Sequence, residues 1–281
     1  MNTVLLGTGL LGEAIGQRLL RQGHRLTVWN RNPARCQALV AAGATLAPTP
    51  AAAVAAGELV LTVLADGAVT TAVLLDQAGT ALPERLVVQM GTIAPSESIA
   101  LAAQLEALGC AYLEAPVLGS RPEALAGTLQ VMVGGGTSAL TRALPLLREL
   151  TDAPRHLGPV GAASHTKLAL NQLIASLTHS FSLSLHLVQQ AGVDVEAFMA
   201  ILRSRGLYAP NVDYSNPNCP AAHLRKDLNL FVEAAGELGL DTQGLHGLQH
   251  LLTGATAAGI DALDYSALHR LTRRPQLEAE V

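Results

Sequence analysis

The chain's 281 residues are 49% hydrophobic and 14% charged, which supplies apolar material for a sizeable core and excludes a disordered chain. A net charge of −4, aromatics at 3% and the lack of any basic run exclude a stacking or phosphate-tracking surface for nucleic acid. Three widely spaced cysteines, Cys36, Cys110 and Cys219, with no C-x-x-C pair, point to a reducing cytoplasm rather than a disulfide framework or a structural zinc site.

Residues 2–6 (NTVLL) read as a short buried strand, followed by GTGLLG at 7–12 and a helical pattern to about Gln22. RLTVWN at 25–30 is a second strand, so the first 30 residues form a β-α-β unit. The alternation continues. Helices are expected near 33–42, 67–77, 95–108 and 137–150, and strands at 58–64, 85–90, 111–114 and 129–134. Alternating strands and helices imply a doubly wound parallel sheet, an α/β fold of the Rossmann type. The longest apolar stretch, 51–65, is interrupted by Glu58 and is too short to cross a bilayer. No basic residue precedes Arg18, so the apolar N-terminus does not read as a signal peptide. Neither a membrane nor a nucleic acid is an expected partner.

After about residue 157 the pattern turns helical. Residues 162–191 contain no proline and read as one long helix. Further helices are expected near 194–204, 219–237, 241–257 and 261–270, before a polar tail. The predicted organisation is a nucleotide-binding domain at 1–157 and an all-helical domain at 158–281, joined by the long helix.

Gly7, Gly9 and Gly12 lie between a strand and a helix, the context in which G-x-G-x-x-G signals dinucleotide binding. Gly7 permits the tight turn, Gly9 lets backbone approach a pyrophosphate, and Gly12 lets the helix pack on the sheet. The intervening Thr8, Leu10 and Leu11 complete the phosphate loop, whose helix N-terminus presents unpaired N–H donors. Where an NAD site carries Asp or Glu after the second strand, this chain has Asn30, Arg31 and Asn32. A carboxylate would repel a 2′-phosphate, whereas Arg31 can hold one with its guanidinium fork. The expected cofactor is therefore NADP in preference to NAD. The loops after the third and fourth strands bring Leu64, Ala65 and Thr92 to the carboxyl edge of the sheet, where ligands bind in such folds.

Sixteen arginines accompany only two lysines, Lys167 and Lys226. Arg stays protonated at working pH, while a desolvated Lys can give and take a proton. Lys167 and Asn171 are four residues apart and share one face of the predicted long helix. Reducing a carbonyl needs a proton on the developing alkoxide, and a nearby ammonium supplies it. The nine histidines form no grouping with metal-ligand geometry, and His165, nearest Lys167, reads as helix packing or support.

Four blocks in order make the chain resemble the β-hydroxyacid dehydrogenase family: GTGLLG at 7–12, EAPVLGS at 114–120, GPVGAASHTKLALN at 158–171 and KDLNL at 226–230. The NRN at 30–32 is similar to its NADP-using glyoxylate/succinic semialdehyde reductase branch. The resemblance implies that Lys167 is the catalytic acid and that Asn171 contacts substrate or orients the lysine. It also implies that Lys226 reaches the cofactor near the nicotinamide, that Asp227 braces it, and that Phe231 walls the substrate pocket. Leu64 and Ala65 would contact cofactor through backbone, and Thr92 would bind the nicotinamide ribose or a substrate carboxylate. The family commonly reads Pro-Val-Ser-Gly where this chain has Leu118 before Gly119 and Ser120. The amides of Gly119 and Ser120 would still hold a carboxylate, but Leu118 shifts the expectation toward a more apolar substrate. The implied activity is NADP-dependent interconversion of a β-hydroxyacid and its semialdehyde by a cytoplasmic homodimer or homotetramer. An imine reductase and a non-catalytic NADPH-binding module are the alternatives.

Overall fold

The computed structural model describes residues 2–204, 220–237 and 239–272, apart from some side chains within the helices. The chain divides into two compact units, Met1–Leu173 and Ile174–Val281.

The first unit is built on one sheet. Its strands are β1 (Asn2–Leu6), β2 (Arg25–Trp29), β3 (Thr45–Leu46), β4 (Leu59–Thr62), β5 (Leu86–Gln89), β6 (Ala111–Glu114), β7 (Val117–Leu118), β8 (Gln130–Gly134) and β9 (Arg155–Gly158). The spatial order is β3-β2-β1-β4-β5-β6-β8-β7, with β9 on β8. Pairing is parallel from β3 through β6, so the chain reverses its direction of travel between β1 and β4, the switch point at which such sheets bind ligands. The helices are α1 (Leu10–Arg21), α2 (Gln37–Ala41), α3 (Pro50–Ala55), α4 (Gly67–Thr71), α5 (Pro95–Ala107), α6 (Arg121–Ala126), α7 (Thr137–Leu147) and α8 (Ala162–Gln190).

The central strands are apolar throughout because they are covered on both faces. Leu5, Leu61, Val88 and Leu113 pack with Ile15 and Leu19 of α1 and Leu146 of α7. Val4, Val60 and Val87 point the other way, onto Val54 of α3 and Leu101 and Leu105 of α5. Truncating a fully buried member such as Leu61 to Ala is expected to cost about 2–5 kcal/mol.

In the second unit α9 (Val195–Ser204) is followed by α10 (Ala221–Glu237) and α11 (His246–Ala257). Ala221, Leu252, Ala255 and Leu268 form its small core. Arg225 Nη1 donates to Asp261 Oδ1, Thr256 Oγ1 and the Leu252 carbonyl, which ties α10 to the end of α11.

The structure departs from the sequence reading in several places. The short strands β3, β7 and β9 and the short helices α3 and α6 had no clear periodicity to announce them. The sheet is not wholly parallel, since β8 runs antiparallel to β6 and β7. A 3₁₀ helix at Tyr265–Thr272 stands where an α-helix over 261–270 was expected. The division between the units falls inside α8, whose first turn is fastened to the sheet by hydrogen bonds to Glu114.

Candidate functional site

The loop from β1 into α1 is shaped by its glycines. Gly7 has φ +98, and a Cβ there would collide with the Val63 carbonyl at the end of β4. A Cβ on Gly12 would collide with the Gly7 carbonyl, so α1 can lie this close to the turn only with Gly at that position. A Cβ on Gly9 would meet nothing within 4 Å, which leaves its backbone open to a ligand. Gly9 is also the N-cap of α1 and has no side chain to cap it, so the first-turn N–H groups are available to an anion.

Asn30, at the end of β2, joins this loop to the next one. Its Oδ1 accepts the Thr8 amide at 3.2 Å and its Nδ2 donates to the Asn32 carbonyl at 3.0 Å. Asn32 Oδ1 in turn caps the following 3₁₀ turn by accepting the Ala34 amide at 3.1 Å. Arg31 and Arg35 are exposed on the same short segment.

A cleft of about 780 Å³ opens over these loops. Gly7, Gly9, Leu10, Leu11 and Gly12 form its floor, Asn30, Arg31 and Asn32 one end, and Leu64 and Ala65 the side above β4. Ten of the residues expected to hold cofactor thus converge on one cavity. Thr8 does not line it. Its side chain is buried, with Oγ1 3.5 Å from Cys36 Sγ, so its contribution lies in the hydrogen bond to Asn30. The sequence reading missed Arg35, Trp29, Val63, Val69, Ala72, Val73 and Gln77, which complete the walls. For Arg35, a second cation four residues after Arg31 was a usable signal. The others sit on segments whose apolar pattern reads only as packing. Among the described residues that line the cleft, two are arginines and none is an acid. Glycine-cradled amides beside two guanidinium groups suit the phosphates of a dinucleotide.

Lys167 and Asn171 lie in α8, one turn apart, at its beginning. Burial holds the Lys167 ammonium below the usual lysine range. His165 is engaged locally, its Nδ1 donating to the Gly161 carbonyl at 2.7 Å. This bond joins the exposed ring to the first turn of α8.

The residues expected to hold substrate are less gathered. Thr92 is exposed in the loop after β5, and a Cβ on its neighbour Gly91 would stand 2.9 Å from the Leu64 carbonyl, so this loop touches the cleft's rim. Leu118 is half-buried in β7, and Gly119 follows with φ +115. The Ser120 amide donates to Glu123 Oε2 at 2.8 Å, closing the N-terminus of α6. The same bond holds the exposed Glu123 carboxyl below its usual range. The side chains of Lys226, Asp227 and Phe231, on α10, lie outside the described residues, as does Cys219. Among the described residues there is no cluster of three potential metal ligands and no helix long and apolar enough to cross a membrane.

Residues 2–158 match the family model described as the NAD binding domain of 6-phosphogluconate dehydrogenase. The chain is 26% identical to glyoxylate/succinic semialdehyde reductase 1 of Arabidopsis thaliana, over 95% of this chain and 97% of the relative. It is 32% identical to an NAD-dependent L-serine dehydrogenase of Pseudomonas aeruginosa, over 82% of this chain and 84% of that one. A solved structure of a reductive aminase from Aspergillus terreus, in complex with NADPH and ethyl levulinate, is similar with a TM-score of 0.88 and 26% identity, covering 97% of this chain and 99% of that one.

Proposed function

Because the chain belongs to the β-hydroxyacid dehydrogenase family and is an NAD(P)-dependent oxidoreductase acting on hydroxyl and aldehyde groups, we propose that it reduces a semialdehyde or related aldehyde, prefers NADPH, and uses Lys167 as its proton donor. The observation that carries this reading is the state of Lys167. Its ammonium is made a better acid by burial, and it stands one helical turn before an amide side chain, Asn171. When bound, the reduced nicotinamide supplies a hydride to the carbonyl carbon. Lys167 holds a proton at Nζ and delivers it to the oxygen as negative charge develops there. Asn171 orients the lysine or the substrate. In the reverse direction the neutral amine of Lys167 takes the hydroxyl proton.

The preference for NADPH is supported by Arg31 and Arg35 in a cleft with no carboxylate among the described residues that line it. One relative is named NAD-dependent, so the two cofactors must be compared directly in this chain. A second reading, an imine reductase, is supported by the likeness to the reductive aminase and by Leu118, which brings apolar bulk where the family commonly has a hydroxyl. NADPH oxidation with semialdehydes, glyoxylate and cyclic imines, run beside Lys167→Ala, separates them. Aldehyde turnover that is lost in the variant supports the first reading. Imine turnover that survives it supports the second. Tight NADPH binding without turnover of any compound defeats both and leaves a binding module.

We further propose a homodimer or homotetramer. Leu173, Ile174 and Leu177 on α8 are each about half exposed, an apolar surface that a second copy would cover. Sedimentation giving a monomer at micromolar concentration would sink this part.

A further inference from the structure

Five hydrogen bonds converge on one fully buried side chain that the proposed chemistry does not use, Glu114 at the end of β6. Its Oε1 accepts the amides of Gly161 and Ala163 at 2.8 Å and of Ser164 at 3.3 Å. Its Oε2 accepts the hydroxyls of Ser164 at 2.6 Å and Ser98 at 2.7 Å. All five partners donate, the pattern an ionised carboxylate satisfies. The positive end of the 29-residue α8 faces it, which compensates a charge buried away from water. Behind Ser98 stands Tyr112, whose hydroxyl lies 2.8 Å from Ser98 Oγ. Burial pushes the Tyr112 phenol up, and the nearby Glu114 charge adds to this, so it stays protonated and can donate to Ser98. Gly134, the register partner of Glu114 on β8, leaves room for the carboxylate, since a Cβ there would collide with Oε1.

Ser164 and Lys167 are three residues apart on α8, so the anchored turn and the lysine share one face of the helix. We infer that Glu114 is a positioning residue: it fixes the first turn of α8 in height and rotation, and so sets where the Lys167 ammonium is presented. The inference rests on the proposed role of Lys167 as proton donor. A carboxylate suits this task better than an apolar contact. It satisfies N–H groups that have no partner within the helix, and two oxygens at fixed separation define both the tilt and the roll of the turn.

The test compares Glu114→Gln, Glu114→Asp and Gly134→Ala with the wild type. Gln keeps the shape but loses the charge, Asp withdraws the carboxylate, and the Gly134 change displaces it by contact while leaving its chemistry intact. Each variant is expected to lower kcat on the order of 10- to 100-fold, the cost of misplacing a catalytic group by about 1 Å. The Kd for NADPH should stay within about twofold, because the phosphate cleft is elsewhere on the sheet, at β1 and β4. Amide hydrogen exchange at 161–167 should accelerate in all three. In a Lys167→Met background, Glu114→Gln should leave the residual rate unchanged, since its effect passes through the lysine. A wild type that turns over no carbonyl or imine defeats the proposed function, and the inference falls with it. A wild type that turns over substrate, with Glu114→Gln either unchanged in exchange at 161–167 or equally damaging in both backgrounds, overturns the inference alone.

Discussion

Asn30 accepts the Thr8 amide at 3.2 Å, so a side chain at the end of β2 holds the backbone of the glycine loop after β1. Removing that acceptor leaves a part-buried N–H without its partner, at a cost of about 1–3 kcal/mol. The loop should then populate other conformations, and NADPH should bind roughly tenfold more weakly to Asn30→Ala. Asn30→Asp keeps the acceptor but loses the donation from Nδ2 to the Asn32 carbonyl and adds a negative charge to the cleft. It should be the worse of the two for NADPH and the milder for NADH. Fluorescence titration of both cofactors checks the ordering.

Arg31 and Arg35 supply the charge of the cleft. A hydrogen bond to a charged group is worth about 1.5–3 kcal/mol, so Arg31→Ala should raise the Kd for NADPH by roughly 10- to 100-fold. Arg35→Ala should have a smaller effect in the same direction. The Kd for NADH should move less than threefold, because NADH lacks the phosphate that the guanidinium groups would pair with. Isothermal titration of both cofactors at several salt concentrations measures this. Equal losses for NADH and NADPH would show that the arginines shape the loop rather than select the phosphate.

Much of this site was legible because its parts are local. GTGLLG carries its strand and its helix on either side, and Arg31 follows its strand directly, so backbone context is contained in about 30 residues. Lys167 and Asn171 are readable for a similar reason, since helical spacing alone puts them on one face. Glu114 was not legible as an anchor. Its five donors come from residues 98 and 161–164, and a single acidic residue ending an apolar strand gives no hint of them. The occupied Ser120 amide was hidden differently. Ser120 and Glu123 spell a capping box, but six helical residues are too few to show the periodicity that announces a helix such as α6. The strands β3 and β7, two residues each, lie below any pattern that alternation can reveal.

Leu118 gives a test of specificity. It is half-buried in β7, where the family commonly has Ser. Restoring a hydroxyl supplies a hydrogen bond worth about 1 kcal/mol to a carboxylate-bearing substrate and removes apolar contact from a bulkier one. Leu118→Ser should therefore raise kcat/KM for small semialdehyde acids about fivefold and lower it for apolar aldehydes or cyclic imines. Competition assays with one member of each class read the ratio directly. A ratio that does not change would place Leu118 away from the substrate.

Burial lowers the pKa of Lys167, and this has consequences for rate and for stability. In reduction the protonated form is active, so kcat/KM should be level at low pH and fall as pH rises through the lowered pKa, earlier than an ordinary lysine near 10.4 would allow. In oxidation the neutral amine is active, and the rate should rise with pH through the same value. Lys167→Arg keeps a charge that does not titrate. It should lose reduction activity at least about 100-fold, show no limb in that region, and fail as a base in oxidation. Stability has its own sign. The unfolded chain binds the lysine proton more tightly than the folded one, so between the lowered pKa and about 10.4 it carries more protons, and raising the pH through that window favours folding. Below the window the partial desolvation of the charge opposes folding to its full extent. The stability of wild type relative to Lys167→Met should therefore increase with pH across that window and level off above it. Urea unfolding of both proteins at a series of pH values provides the comparison, and a difference that stays flat with pH would mean that Lys167 is as well hydrated in the folded protein as in the unfolded one.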